Sequence, residues 1–469
     1  MKLLARFFVG SLGILLSCRT LGDQFHYNNF LIGDRAIGMG GAYAGVSDDA
    51  SGIFYNPGGL AYALTNDVSG SANAFYTRRV VYKEAVGGED FTERSGGSLP
   101  SFFGGLQKLD HVARGLVFAF GIYIPDSEQK DQDDTIKNIN LGSLGQCPSG
   151  AQADRGSLVL DRFHRTVNQR ASTFFIGAAA GIRVMRRLSI GIGLNYVGVD
   201  ELVQEYQDVK QSQAQCGSDG SAIPYTTTRS QNIRQRLAGS GVQPVLGLQM
   251  PVMDRLSAGA TIKLGTYLAQ SFEQTVENRS TGLDADDQAP VDAAEGGTVA
   301  TTKTSLISQL NSVSVSDKPL GTMPLSARAG LAFFASTRLL MTLDTIYNGA
   351  VTDAAQIPGV GTVYDKDGVL DFAFGAEYYM TPSIPLRLGL FTNNDARPKV
   401  EENKTGQRDH IDYNGASAFL AWVQPNSQIG LGMIYQLGKG KAQKLADSLV
   451  IQDVEAESTT IAFSATHSF

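Results

Sequence analysis

The 469-residue chain lacks the features of several common protein classes. Charged residues make up 18%, against a usual ~25%, and the net charge is −7 with no basic run, so a nucleic-acid footprint is missing. No apolar stretch reaches the ~18 residues of a transmembrane helix. Three cysteines are too few for a disulfide-built scaffold.

Signatures of enzymes and metal sites are also missing. The five histidines form no HExxH pair and show no metal-ligand spacing, and no GxSxG elbow precedes a helix. The acidic groups at 131–134 and 284–287 lack the full EF-hand pattern, so solvated loops are expected there. We therefore expect no enzyme, no cofactor and no metal.

Glycine and hydrophobic residues are what the chain does contain. Glycine numbers 53, about 11% against a usual ~7%. Hydrophobic residues at 42% exclude a disordered chain.

The N-terminus has the layout of a secretory signal. Lys2 and Arg6 precede the ten-residue apolar stretch Phe7–Leu16, which is too short to span a bilayer. Residues 1–22 are the predicted signal peptide, with cleavage after Gly22. Alternatively, the segment 15–18 resembles a lipobox, which would make Cys18 a lipidated N-terminus.

Two cysteines remain in the exported chain. Cys147 and Cys216 lie in polar stretches rich in Gly, Ser and Gln. An oxidising compartment favours a disulfide between them, which would hold two loops together. The alternative is two free loop thiols.

From residue 66 onward, apolar residues alternate with Gly, Ser, Thr or Asn, as in Leu188, Ile190, Ile192 and Leu194. Strict alternation is the period of a β-strand with one face in an apolar medium. Fourteen strands are predicted, at 66–83, 98–108, 113–124, 168–184, 187–207, 228–250, 254–276, 324–335, 337–349, 368–380, 385–394, 409–423, 427–438 and 456–468.

The connections between these strands alternate between short turns and long loops. The long ones are 84–97, 125–167, 208–227, 277–323, 350–367, 395–408 and 439–455. This asymmetry is typical of an outer-membrane barrel, with periplasmic turns and extracellular loops. The last strand also ends in Phe469, which resembles the assembly signal of such barrels. We expect an all-β, fourteen-stranded antiparallel transmembrane β-barrel over 66–469, monomeric, in contact with lipid of the outer membrane of a Gram-negative-type bacterium.

Residues 23–65 do not alternate. Asp48 or Asp49 can cap a short helix over 50–54, which the Asn56-Pro57-Gly58 sequence ends. About forty residues cannot hold a core of their own, so we expect a helical plug packed in the barrel lumen.

This segment resembles the N-terminal hatch of the FadL/TodX outer-membrane transport proteins. The similarity lies in GDRAIGMGGA at 33–42 and DDASGIFYNPGGLA at 48–61, with weaker similarity at 118–125, 188–197, 324–333 and 384–394. The resemblance implies uptake of hydrophobic molecules, either long-chain fatty acids or aromatic hydrocarbons. They would be captured at extracellular loops and pass the hatch by diffusion.

The resemblance also implies site residues. The hatch motif of the family is Asn-Pro-Ala, and here Gly58 replaces Ala in Asn56-Pro57-Gly58. A family kink that opens the wall sideways would fall in strand 113–124, where Gly115 and Gly121 are the candidates.

A substrate carboxylate would need a cation in the pocket, since an unpaired buried charge is costly. Arg387 and Lys263 are the candidates, although either could instead belong to a structural charge network. The alternative function is a structural or secretion-accessory barrel that docks a protein partner.

Overall fold

The computed structural model describes residues 25–86, 88–147, 152–216, 219–282, 305–315, 321–352, 356–357, 361–362, 365–444 and 449–469. The predicted signal peptide, its cleavage site and Cys18 lie outside these ranges. Within them, no helix is long and apolar enough to cross a membrane.

The strands are preceded by two short helices, α1 (Asp34–Gly38) and α2 (Gly52–Tyr55), and by a 3₁₀ helix (Gly59–Tyr62). Helix α2 begins two residues later than the sequence predicts. The strands are β1 (Asp67–Val86), β2 (Glu89–Lys108), β3 (Val117–Ser143), β4 (Ser157–Met185), β5 (Leu188–Cys216), β6 (Ala222–Met253), β7 (Leu256–Lys263), β8 (Thr266–Gly282), β9 (Ser305–Val315), β10 (Ser326–Phe334), β11 (Leu339–Asn348), β12 (Gln356–Ile357), β13 (Gly361–Thr362), β14 (Val369–Thr381), β15 (Ile384–Asn393), β16 (His410–Gln424), β17 (Ser427–Ala442) and β18 (Gln452–Ser468).

Fourteen of these strands form a closed antiparallel ring, which confirms the predicted barrel. The ring runs through β1 to β7, then β10, β11 and β14 to β18, and it closes because Asp67 of β1 pairs with Ser468 of β18. Strand β8 pairs with β6 above β7, and β9 pairs with β8. Closure leaves no open sheet edge facing lipid.

The outer face of the ring carries a belt of exposed apolar side chains. Examples are Phe118, Phe120 and Ile122 on β3, Leu343 on β11, and Ile429, Leu431 and Met433 on β17. Alternate residues of the same strands point inward, such as the buried Ala119 and Ile434. This is the lipid-facing pattern of an outer-membrane barrel.

Several predicted loops are wrong, because the strands continue through them. Strand β3 runs to Ser143, β4 and β5 are each 29 residues long, and β6 begins at Ala222, so most of 125–167 and most of 208–227 is strand. Above the belt the outer face of a strand no longer meets lipid, and the apolar alternation that marks a strand in the sequence weakens. The ladder itself continues without it.

The plug fills the lumen and packs on the wall on all sides. Helix α1 packs on β15 to β18, and the 3₁₀ helix packs on β3 to β6. Wall glycines allow this close approach: a Cβ at Gly181 would lie 2.6 Å from the oxygen of Pro57, and one at Gly247 would lie 2.7 Å from Pro57 Cδ. Part of the high glycine content therefore serves hatch packing.

Candidate functional site

A cavity of about 140 Å³, open on one side, lies in the lumen above the hatch. Its floor includes Phe54 of α2, and the segment His26–Asn28 borders it. Its wall residues come from β3 to β8, from β10 and β11, and from the connections that precede β10 and β14. A concave space with a mostly apolar lining is the usual kind of site for a small molecule.

One end of the cavity is a row of three polar side chains on adjacent strands. Lys263 of β7 stands opposite Ser326 of β10, which stands opposite Asn348 of β11, and all three line the cavity. Residues paired across a ladder have Cβ atoms ~4.5–5.5 Å apart, so one small group can contact neighbouring members of the row. We call these three residues the polar row.

The polar row has unused donors. Lys263 Nζ lies 3.7 Å from the centre of the Phe54 ring, and among the described residues no carboxylate comes within 4.0 Å of it. The buried Asn348 Nδ2 likewise has no hydrogen-bond partner there. A half-buried ammonium without a carboxylate and a buried amide nitrogen without a hydrogen-bond partner are costly, which indicates a site for an anionic or hydrogen-bonding group.

Most of the remaining cavity surface is apolar, with a lining that includes Phe175, Val197, Tyr267, Met323 and Ile346. Polar and charged side chains also reach it, among them Asp126, Gln243, Arg328 and Lys366. Val197 and Met323 belong to one buried cluster, against which Phe175 and Tyr267 pack. The cavity thus joins a polar end to an apolar body, and this arrangement suits an amphipathic molecule.

The Asn56-Pro57-Gly58 motif fastens the hatch to the wall. Asn56 Nδ2 donates to the oxygens of Ala44, at 2.8 Å, and Leu248, at 2.9 Å, while Asn56 Oδ1 accepts from the nitrogen of Gly58 at 3.0 Å. A Cβ at Gly58 would lie 2.8 Å from Leu248 Cα. Glycine here therefore permits contact with the wall that alanine would obstruct.

Arg387 lies in a salt-bridge network between hatch and wall. Its Nε donates to Glu377 at 2.7 Å and its Nη1 to Asp34 at 3.2 Å, and the side chain is 1% exposed. Arg35 of α1 also bonds Glu377, at 2.9 Å. These contacts supply carboxylate partners for Arg387 within the protein, whereas Lys263 faces the cavity.

The strands β2 and β3 are paired over only part of their length. The ladder joins 102–108 of β2 to 117–123 of β3 and ends at Phe102 opposite Tyr123. Above it, residues 95–101 of β2 and 124–129 of β3 form no ladder pair with each other, and we call this stretch the β2–β3 seam. Pro125, which has no N–H to donate, stands at its lower end. The oxygen of Pro125 accepts instead from the nitrogen of Phe30 at 3.1 Å.

The two glycines predicted at a wall kink lie elsewhere. Gly115, with φ +73°, belongs to the turn between β2 and β3, where its nitrogen donates to Asp110 Oδ1 at 2.8 Å. Gly121 pairs with Gly104 inside the ladder. The seam begins just above the ladder, at 124–125.

Cys147 and Cys216 form a disulfide that links residues 69 apart in sequence. It ties the connection after β3 to the end of β5, far above the apolar belt. Nearby, Arg155 Nε donates to the oxygen of Ala214 at 2.8 Å.

Sequence reasoning missed Ser326, Asn348 and Pro125. Ser326 and Asn348 join Lys263 only through strand register, and although Ser326 lies in the family-like stretch 324–333, no pattern marks either residue as part of a site. Pro125 offered a usable signal, because proline inside a strand pattern indicates an unpaired position.

Comparison with known proteins supports the same architecture. No protein-family model and no curated protein matches the chain. Among solved structures, a Pseudomonas aeruginosa FadL homologue matches with TM-score 0.55 at 12% identity, covering 95% of this chain and 100% of that one. The Pseudomonas putida toluene transporter TodX matches with TM-score 0.56 at 12% identity, covering 94% and 99%. The monoaromatic hydrocarbon channel CymD gives 0.51 at 13% identity, covering 94% and 99%.

The fold and the lipid-facing belt define an outer-membrane β-barrel with its N-terminal segment packed in the lumen. More particularly, the chain has the fold of the FadL and TodX channels over nearly its whole length.

Proposed function

We propose that the protein is an outer-membrane uptake channel for hydrophobic molecules, and that long-chain fatty acids are its substrates. The observation that carries this proposal is the cavity, which combines the polar row with a lining that is mostly apolar. An acyl chain gains ~0.8 kcal/mol for each CH₂ group that it buries. The named relatives, a toluene transporter and a monoaromatic hydrocarbon channel, support passage of apolar molecules through this fold.

The polar row favours a carboxylate over a bare hydrocarbon. The ammonium of Lys263 supplies charge, and Asn348 Nδ2 supplies a donor that the described protein leaves unused. Charge-assisted hydrogen bonds to a carboxylate are roughly twice as strong as neutral ones. Toluene would leave Lys263 without a carboxylate and Asn348 Nδ2 without a hydrogen bond.

The β2–β3 seam is the proposed exit through the barrel wall. Opening it breaks no ladder pair, so it requires less energy than opening any fully paired seam. Its lower end, Pro125, also lines the cavity. The exposed Phe103 and Ile122 just below the seam belong to the lipid-facing belt, so a molecule leaving here enters the membrane.

Binding to the purified barrel tests the substrate. Wild type, Lys263→Met and the control Lys441→Met, an exposed lysine on β17, are titrated with palmitate, the alcohol of equal length, and toluene. We expect Lys263→Met to weaken palmitate binding about tenfold to a hundredfold, which is the worth of a hydrogen bond to a charged group. Binding of the alcohol should change little.

The pattern of ligands separates the alternatives. Toluene binding without palmitate binding would move the substrate to aromatic hydrocarbons. If none of the three binds, the uptake proposal fails and the docking barrel is the better hypothesis. Equal losses for palmitate and alcohol in Lys263→Met would refute the carboxylate role of the polar row.

A disulfide across the seam tests the route. An ideal Cβ built on Gly97 lies 3.9 Å from Gln129 Cβ, within the ~3.5–4.5 Å of natural disulfides. We expect oxidised Gly97→Cys/Gln129→Cys to bind palmitate normally but to lose uptake in cells, and a reductant to restore it. Each single cysteine variant and reduced wild type are the controls. Undiminished uptake through the oxidised double variant would exclude the seam.

A further inference from the structure

Above the seam, a side chain takes the place of the missing ladder. Gln132 of β3 accepts from the nitrogen of Arg94 at 2.8 Å through Oε1 and donates to the oxygen of Thr92 at 2.7 Å through Nε2. The amide thus pairs one backbone N–H and one backbone C=O of β2, on the two sides of Glu93. The side-chain amide therefore joins β2 to β3 where their backbones do not pair.

The residue between these two positions makes a second link. Glu93 of β2 is 4% exposed and accepts from Lys130 of β3 at 2.8 Å, from Arg165 of β4 at 2.6 Å and from Lys444 at 2.5 Å. Lys444 lies in the connection after β17. One buried carboxylate thus ties β2 to both following strands and to an extracellular connection.

The two links bound the seam from above. The ladder at Phe102 closes it below, and Gln132 closes it at Arg94, which leaves roughly 25 Å of β2 between them. We call Gln132 and Glu93, with their β2 and β3 partners, the β2–β3 clasp. Without it, the hydrogen bonds and the ion pair that join β2 to β3 above the ladder would be lost.

We infer that the β2–β3 clasp is a positioning device that sets how far the seam opens, so that Gln132 and Glu93 control lateral passage without contacting the bound substrate. Neither residue lines the cavity that contains the polar row. The two links also differ in strength: the Gln132 bonds lie at or near the surface, where water can replace them, whereas Glu93 is held by three cations. The Gln132 link is thus suited to break when the seam opens, and the Glu93 link is suited to limit how far β2 and β3 separate. This role in passage rests on the proposed function.

The cross-linking rate of Gly97→Cys/Gln129→Cys measures the seam without any ligand. Gln132→Ala is added to this pair, and Gln204→Ala, an exposed glutamine on β5, is the matched control. We expect Gln132→Ala to slow disulfide formation about tenfold, because two hydrogen bonds that hold the strands together are lost. Glu93→Gln should slow it further, and Glu93→Asp should restore part of the rate.

Uptake and affinity then distinguish passage from binding. On the native seam, Gln132→Ala should raise the uptake rate severalfold while palmitate affinity stays at the wild-type value. Unchanged cross-linking in both Gln132→Ala and Glu93→Gln would overturn the clasp. If cross-linking changed but uptake did not, the clasp would hold the seam without controlling passage. If palmitate did not bind, only the proposed function would be refuted.

Discussion

The side-chain amide of Asn56 in the hatch donates to the main-chain oxygen of Leu248 in β6 at 2.9 Å. The same amide holds Ala44 and Gly58, so one fully buried side chain fixes three points of the hatch and its wall.

Asn56→Ala should loosen the docked hatch. Each buried backbone group left unpaired costs about 1–3 kcal/mol. We expect faster hydrogen exchange of the amides in 52–62, with the barrel strands unaffected. Asn426→Ala, in the exposed turn between β16 and β17, is the control, and equal exchange in both variants would show that the motif does not hold the hatch.

Gly58→Ala should loosen the hatch as well, although its φ of −63° suits alanine. The added methyl group would meet the backbone of Leu248, and such overpacking costs about 1–3 kcal/mol. Limited proteolysis of the hatch measures the effect. Gly70→Ala, whose Cβ would find ordinary contacts at 3.7 Å, should show no change.

Arg387→Gln should reduce stability and leave palmitate affinity intact. It removes the cation from between two buried carboxylates, Asp34 and Glu377, at a cost of about 3–5 kcal/mol. Lys263→Met should instead reduce palmitate affinity and leave stability intact. A loss of affinity in Arg387→Gln at temperatures where the barrel stays folded would instead place Arg387 in the binding site.

Hatch docking should weaken between about pH 4 and pH 6. Burial, with the neighbouring carboxylate of Asp34, raises the pKa of Asp49 to about 6. Because the docked hatch binds this proton more tightly than the undocked one, the stabilisation is complete below about pH 4 and is lost as pH rises through 6.

The groups around Asp49 define the test. Its carboxylate accepts from the Tyr43 hydroxyl at 2.8 Å and from the nitrogen of Ser51 at 2.8 Å, and Asp48 shares the Tyr43 hydroxyl. Asp49→Asn should flatten the pH dependence of hatch exchange, whereas the exposed Asp453→Asn should leave it unchanged. If hatch exchange in Asp49→Asn still changed with pH between about 4 and 6, another group would be responsible for the effect.

The accuracy of the strand boundaries predicted from sequence depended on what surrounds each strand. Between Leu188 and Leu194, lipid on the outer face makes the alternation unambiguous, so the start of the strand was predicted to within one residue. Beyond residue 207, β5 continues to Cys216 between polar surroundings, and the same rule predicted a loop.

The candidate site was likewise predicted only in part from the sequence. A buried charge must find a partner, and on this ground sequence alone nominated both Lys263 and Arg387. Only the fold separates them, because register places Arg387 beside Glu377 and Asp34, and Lys263 beside Ser326 at the cavity.

The sequence by itself determined the barrel, its lipid-facing belt and the presence of a plug, since these follow from local periodicity and from a segment too short to fold alone. Tertiary structure alone decided the polar row, the seam and the clasp. Each of these depends on which residues of distant strands stand side by side, and pairing register is a property of the closed ring that no local pattern contains.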